Sequence, residues 1–581
     1  MPVIKISAFA GEKPLITPRL LPETAATAAS NVKLNDGALT PTNKAALTGG
    51  NAGAANDKTI FRHGDTWLSW ASHVHAVPGP VADDRLYYTG DGAPKMRVAG
   101  AVYPLALNKP ASALTATLGG SGTGDTQSRT YVYTHVTDFG EESAPSPASA
   151  IVDWKPGQTV TLSGFGAIPT GRAISKQRIY RSQTGSSGTY FYLIAERAAS
   201  TGDFIDNISV DTFQEPLPSA DWNAPPATLS GLTSLPNGMM AAFSGRDVYF
   251  CEPWRPHAWP EKYIVACDSD IVGLAAIGSS LVVMTKAHPY LMSGSSPDSM
   301  VSTKLEANFP CINARGIADL GFAICFPSHE GLVAVRADGS VGLATLELFD
   351  RSDWLTLAPT SFVAAQYGGA YVLFYDTTNA NGDRETGSIF ININAAQYLV
   401  RSSEMADAAW YSVADAALYF KRPGKTEIMR FDAPGAAPEK VHWRSKEFWI
   451  TQPVNFGAVL IDLGLGLSAR TEANIRAERE AIDAQNAILF SGPSLESSVN
   501  EREVNALPVN GDLLIPYPYY EGVLLNVYAD GQLIRSVSRA GTIERLPGKQ
   551  KARCWELEIS ASVQVTQIVM AGTVDELRGA V

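Results

Sequence analysis

The sequence predicts a mainly β protein: a β-propeller-like body, a β-sandwich inserted into it, and a C-terminal β domain carrying one helix. Three observations predict this. The 50 Gly and 36 Pro of the 581 residues are spread along the whole length, which favours many short strands and turns over long helices. Between residues 227 and 455 a unit of strand, tight Gly turn and second strand recurs about every 40 residues, the spacing of propeller blades. One stretch alone, 471–489, has convincing helical periodicity. A chain of this length exceeds one core and suggests roughly three or four domains.

Residues 1–58 read as an N-terminal arm punctuated by Pro and Gly. Pro22, followed by Glu-Thr-Ala-Ala-Thr-Ala-Ala, predicts one short helix, since Pro suits the first helical position. Residues 59–104 supply propeller strands, Thr59–His63, Thr66–Trp70, Arg85–Thr89 and Met96–Val98, rich in aromatic and branched side chains. Residues 105–226 read as the inserted β-sandwich. Arg129–Thr137 alternates at period two, as a half-buried strand does, and about seven short strands fit a sandwich. The segment has no Cys, so no disulfide pins it. Pro216, Pro218, Pro225 and Pro226 mark its exit. Both connections leave and return to the body nearby, so the insert reads as the element most easily spared. Residues 227–455 supply the blades, for example Met239–Phe250, Leu274–Met284, Gly321–Val335 and Val363–Tyr375. Residues 456–581 form the C-terminal β domain. Ile475, Ile482 and Leu489 give its helix, 471–489, a narrow apolar stripe. Asp530-Gly531 predicts a hairpin turn.

Three groups of residues carry a family resemblance. They are Tyr249–Pro260, which reads YFCEPWRPHAWP between two strand patterns; the arm pattern Phe9-Ala-Gly11, Pro18–Pro22, Asn31 and Gly37–Pro41; and Trp443-Arg-Ser-Lys-Glu-Phe448. Together they resemble the tail nozzle proteins, or tail tubular proteins B, of short-tailed bacteriophages, over most of the chain. The pieces Phe139–Pro147 and Arg178–Gly185 resemble the fibronectin type III-like modules of phage structural proteins. The nozzle resemblance implies a structural virion protein at the distal end of a short tail. It implies six copies in a ring docked on a tail adaptor protein, with tail fibres or spikes as neighbours and the host envelope as the contact. Phage DNA would pass along the axis, and the protein would be made in the host cytoplasm.

Composition agrees with that implication. The net charge of −12 argues against a tight grip on DNA, which needs phosphate neutralisation, but not against DNA in transit. No run of about 18 apolar residues occurs, so no stable membrane insertion is expected. The five Cys, at 251, 267, 311, 325 and 554, show no CxxC spacing and read as reduced, buried thiols. His73-Val-His75 puts two imidazoles on one face of a strand, with Asp83-Asp84 soon after, but an i, i+2 pair alone is weak evidence for a metal. His257 reads as a buried turn residue flanked by Trp254 and Trp259. The alternative function is a glycan-binding or glycan-degrading propeller acting as a receptor-binding tail protein. Hydrolysis would need paired carboxylates, and Ser352-Asp353-Trp354 and Gly64-Asp65-Thr66-Trp67 touch the sialidase repeat only once each. Serine-hydrolase, zinc-protease and P-loop motifs are absent from the sequence. The expectation is therefore no enzyme, no cofactor, and no catalytic, cofactor-binding or metal residue.

Overall fold

The computed structural model describes residues 3–185, 188–208, 215–378, 381–394, 397–464, 477, 480–488, 522–548 and 550–580. Its body is a ring of antiparallel sheets. Blade 1 holds His75–Pro78, Arg85–Thr89, Lys95–Val98 and Ala101–Pro104. Blade 2, after the insert, holds Ser230–Ser234, Met240–Ser244, Asp247–Phe250 and Val265–Ala266. Blade 3 holds Ile271–Ile277, Ser280–Thr285, Tyr290–Ser293 and Val301–Lys304. Blade 4 holds Ala318–Asp319, Ala323–Pro327, Leu332–Arg336 and Val341–Leu343. Blade 5 holds Val363–Tyr367, Ala370–Thr378, Arg384–Asn392 and Tyr398–Ser402. Blade 6 holds Ala408–Ser412, Ala417–Lys421 and Glu427–Arg430. Its outermost strand, Ala46–Asn51, comes from near the N-terminus. A hairpin, Thr59–His63 with Thr66–Trp70, occupies a seventh, two-stranded position. Its first strand packs on blade 6 and Trp70 packs on Tyr88 of blade 1.

The first strand of each blade is innermost, and these strands lie side by side from blade 1 round to the hairpin. A separate apolar cluster fills each cleft from blade 1 round to the hairpin. Leu235, Val248, Leu281 and Met292 meet between blades 2 and 3, and Ile277, Met284, Phe326 and Val335 between blades 3 and 4. Cys325, Leu373 and Ile389 meet between blades 4 and 5, and Val372, Phe374 and Phe420 between blades 5 and 6. A blade with two apolar faces buries both only between neighbours. That is why Ser280–Thr285 is buried at every position instead of alternating. Tight hairpins join the inner strands. At Gly368-Gly369 both φ angles are positive, 58° and 78°, the geometry that matches strand twist and that glycine adopts without strain.

The C-terminal domain is a second sandwich, built from both ends of the chain. One sheet contains Ile4–Ile6, Val565–Ala571, Ala458–Leu463 and Glu544–Arg545 in that order. The facing sheet contains Ala26–Ser30, Val441–Ser445, Ala552–Ala561, Val523–Ala529 and Gln532–Val537, with Phe448–Val454 also on Ala552–Ala561. Ile6, Phe9, Trp443, Leu525, Trp555 and Ile568 share the core between them. Ala26–Ser30 also meets the outermost strand of blade 5 in parallel, at Ser30 and Arg401. Propeller and C-terminal domain thus share one continuous sheet.

Several expectations are corrected here. The helix predicted after Pro22 is the strand Ala26–Ser30, whose backbone groups are claimed on both sides by sheet partners, so tertiary pairing overrides the helix propensity of Ala. The arm, residues 1–58, is distributed over both sandwich sheets and blade 6. The strands Val441–Ser445 and Phe448–Val454 belong to the C-terminal sheet, so that domain's boundary lies before 455. The predicted helix 471–489 lies partly outside the described residues; residues 477 and 480–488 are helical and mostly exposed. A terminal helix, Val574–Ala580, packs Leu577 against Leu460 and Val569.

The insert is a sandwich of two three-stranded sheets. Thr115–Gly119, Thr159–Ser163 and Phe204–Asp206 face Tyr131–Thr137, Ile174–Gly185 and Gly188–Ala198 across Tyr133, Val160, Leu162, Phe165 and Ile179. A two-stranded ribbon, Gln127–Arg129 with Val152–Trp154, completes it. The free edge of Tyr131–Thr137 is closed by a serine ladder. Ser143, Ser146 and Ser149 donate their N–H groups to the carbonyls of His135, Tyr133 and Tyr131, at 2.9 Å each. Their hydroxyls accept from the N–H groups of the same three residues, at 3.0, 3.1 and 3.0 Å. Pro145 and Pro147, which lack an N–H, stand between the serines. Ser146→Ala leaves the buried Tyr133 N–H without a partner and should cost about 1–3 kcal/mol in urea unfolding. An unchanged unfolding curve would show that the ladder is dispensable.

Candidate functional site

The innermost strands enclose a central cavity of about 640 Å³. Every blade and the hairpin contribute to its wall, which is mostly apolar, with Ile60, Phe61, Val77, Leu274, Ile317 and Trp410 among its residues. Its polar residues include His73, His75, Arg315, Lys58 and Asp319. Thr59 fixes the segment that carries the imidazoles: its hydroxyl donates to the Ser72 carbonyl at 2.8 Å and accepts from Val74 N–H at 3.0 Å. The two imidazole rings sit 4.5 Å apart between centroids. Burial, then the neighbouring His75 and Arg315, pulls His73 down to about 3. Burial alone pulls His75 down to about 4.

The i, i+2 histidines of the sequence are therefore together, but in a setting hostile to a metal ion. A guanidinium lies beside them, and among the described residues no group of three or more His, Cys, Asp or Glu side chains converges. Asp83 and Asp84 do not join them; the Asp83 carbonyl accepts instead from His63 Nε2 at 3.1 Å. Asp319 is the one carboxylate among the cavity-lining residues, and burial raises its pKa. Asp65 lies in the hairpin turn, and Asp353 in the first turn of the short helix Arg351–Thr356. All five thiols are buried and unpaired. Burial pushes Cys251 and Cys311 up to about 12, far from a reactive thiolate.

Tyr249–Pro260 runs from the end of the third strand of blade 2 into a tight loop. The sequence reading placed His257 between Trp254 and Trp259, and this is corrected. Trp259 is 1% exposed and joins Tyr87, Met96 and Leu105 in the core between blades 1 and 2, with its Nε1 donating to the Pro256 carbonyl at 2.8 Å. Trp254 is 55% exposed, at φ +61°, with its ring over Gly238. The aromatic partner of His257 is Trp222, edge-on at 5.8 Å. His257 Nε2 lies 3.1 Å from the Glu142 carbonyl of the insert.

His257 thus belongs to a buried polar seam between propeller and insert. Arg172 pairs with Glu141 at 2.7 Å, both almost fully buried. Arg85 of blade 1 and His257 Nδ1 each lie 3.9 Å from the same carboxylate. Phe139 packs edge-on against Tyr103 of blade 1. Burial first, then the Arg172 charge, pulls His257 down to about 3. The insert is consequently anchored, and removing it would uncover Arg85, Tyr87 and His257. Trp222, Glu141 and Arg172 were missed in the sequence because their partners lie far away along the chain. Only the acidic pair Glu141-Glu142 hinted at a polar contact.

No protein-family model matches the chain, and no curated protein matches it. Among solved structures it is similar to a candidate gluconolactonase, with 11% identity and a TM-score of 0.23, over 44% of this chain and 84% of the other. It is also similar to the N-terminal domain of Nup159, with 8% identity and a TM-score of 0.20, over 43% of this chain and 86% of that one. A third is PorZ, a surface component of the type-IX secretion system of Porphyromonas gingivalis, with 8% identity and a TM-score of 0.21, over 59% and 41% of the two chains. Likenesses this weak say nothing about what this chain does. Its blades are defined by its own strand pairing.

Two outcomes follow from these environments. Trp259→Ala should cost about 3–5 kcal/mol of stability, and Trp254→Ala much less, in matched thermal melts; equal losses would refute the assignment of Trp259 alone to the core. In the unfolded chain His73, His75 and His257 take up protons near pH 6.5. Folded, they do so only near 3 to 4. The unfolded state therefore binds more protons across that window, and stability falls as pH drops below about 6.5. The urea midpoint should decline between pH 7 and pH 5, and His257→Gln should flatten the decline. A slope identical to wild type would refute the buried-neutral assignment.

Proposed function

We propose that this protein is a non-catalytic structural subunit, the distal nozzle of a short phage tail. One observation carries the reading: two of the sequence motifs that resemble nozzle proteins, more than 400 residues apart, meet in space and act as framework. Phe9 of the arm packs edge-on against Trp443 at 5.1 Å. Trp443 Nε1 donates to the Ala10 carbonyl at 2.9 Å, and Lys446 Nζ donates to the Leu21 carbonyl at 2.5 Å. Arg19 lies over Trp449 at 5.1 Å. Residues with these roles tie distant parts of the chain into one core. The single cavity carboxylate lacks the partner that glycoside hydrolysis requires.

In this reading six subunits form a ring below the tail adaptor protein in the virion. The central cavity has the volume of a small-molecule site, far too small for duplex DNA, so the genome would pass between subunits and not through a propeller. Such a ring is heterologous and requires two different complementary patches on each copy. The charge of −12 suits a wall that DNA slides along without gripping. Native mass measurement with the adaptor should give a closed ring. A DNA gel shift near physiological salt should show no sub-micromolar binding. A stable monomer in the presence of the adaptor, or tight DNA binding, would overturn the proposal. So would glycan cleavage abolished by mutation of a single acid.

A further inference from the structure

The central cavity combines a largely apolar wall with hydrogen-bond donors that the fold leaves unused. Arg315 stands in the short turn between blades 3 and 4. Asn313 holds that turn: its Oδ1 accepts from Arg315 N–H at 2.9 Å, and its Nδ2 donates to the carbonyls of Phe362 at 2.8 Å and Pro359 at 3.2 Å. The guanidinium uses one nitrogen, Nη2, to donate to the carbonyls of Lys58, at 3.2 Å, and Asp407. Among the described residues its Nε and Nη1 make no hydrogen bond, and no carboxylate lies within ion-pair distance of it, although the Asp407 charge acts on it. The nearby Asp407 carboxylate is engaged by Lys421 at 2.7 Å and lies 3.8 Å from Lys58.

The imidazoles are equally unspent. Neither ring of His73 or His75 makes a hydrogen bond among the described residues, though each neutral ring carries an N–H donor. A neutral histidine pair beside a cation is a poor metal site. It is well suited to accept negative charge, because an incoming anion gains the guanidinium and up to two N–H groups at once. A largely apolar cavity of several hundred Å³ with a few convergent polar groups is the usual form of a small-molecule site. In a chain whose net charge is −12, a pocket with this polarity is not a by-product of composition.

We propose that the propeller's central cavity binds a small organic oxyanion, its charged head on Arg315, His73 and His75 and its apolar body against Trp410. The head is a carboxylate or a phosphate ester. The site is independent of the tail-nozzle reading, since it resides within one subunit and uses no residue of the framework contacts.

The test uses the full-length protein with histidine side chains isotopically labelled and assigned through His73→Gln and His75→Gln. Phenyl phosphate and benzoate are titrated separately, and the ring resonances are read. Saturable shifts confined to His73 and His75 are expected with at least one probe, and the tighter probe identifies the head group. Arg315→Met should weaken that binding at least about tenfold, a loss of one contact of about 1.4 kcal/mol or more. Because Arg315 also braces a blade junction, a second variant, Ala275→Trp, adds bulk at a cavity-lining residue other than the three donors and should abolish the shifts. Failure of both probes to give saturable shifts at about 10 mM, well above a millimolar dissociation constant, would overturn the proposal. So would undiminished binding in Ala275→Trp.

Discussion

The architecture depends on a buried carboxylate, that of Glu12. One oxygen accepts from Ala29 N–H at 2.8 Å and the other from Arg401 Nε at 2.9 Å. The Glu12 backbone exchanges hydrogen bonds with Leu399 in both directions. This residue therefore bonds to the strand Ala26–Ser30 and to the outermost strand of blade 5 together. Parallel pairing at that seam amounts to a single residue pair, too little to join two domains by itself. Hydrogen bonds to an ionised group are stronger than those between neutral groups, and here they compensate for a short ladder. With the seam in place, Trp443 and Phe9 can close the C-terminal core, and Ala46–Asn51 is positioned to complete blade 6.

What was legible in the sequence follows from local physics. Glycine turns and apolar runs repeat within each blade, so the propeller-like body and the inserted sandwich could be read from spacing. The hairpin turn at Asp530-Gly531 could be read because a two-residue turn carries its own signature. The strand Ala26–Ser30 could not, because an alanine-rich run after a proline has helical propensity and only its distant partners make it extended. The serine ladder was invisible for a similar reason. Ser143, Ser146 and Ser149 look like ordinary loop residues until a strand edge lies beside them. In the site, His73 and His75 were picked out by their spacing. Arg315, which gives the pair its electrostatic character, lies some 240 residues away with no pattern pointing to it. His257 was recognised as buried, but its neighbours were misassigned, since sequence proximity favoured Trp254 over Trp222.

Charge is handled differently in the two large interiors. Between insert and propeller, Glu141 and Arg172 neutralise each other out of water, an arrangement that contributes more to a unique docking angle than to net stability. In the propeller centre the Arg315 guanidinium, among the described residues, donates only to carbonyls. The first interior is closed to further chemistry; the second retains capacity for it.

The pairing of Ile4–Ile6 with Val565–Ala571 has a consequence for biosynthesis. Ile4–Ile6 waits for Val565–Ala571, and Ala46–Asn51 waits for Glu427–Arg430. At ribosomal speeds of about 5–20 residues per second, each gap is on the order of tens of seconds. During that interval both early strands expose unpaired edges. Blades 1 to 5 can stack as they emerge, because each needs only its neighbour. Blade 6 closes only after Glu427–Arg430 has emerged, and the C-terminal sandwich only after Val565–Ala571 has. Such long-range pairing also makes folding slow. Loss of Val565–Ala571 would therefore release Ile4–Ile6 as well, leaving the C-terminal sandwich with open edges prone to pair with other chains.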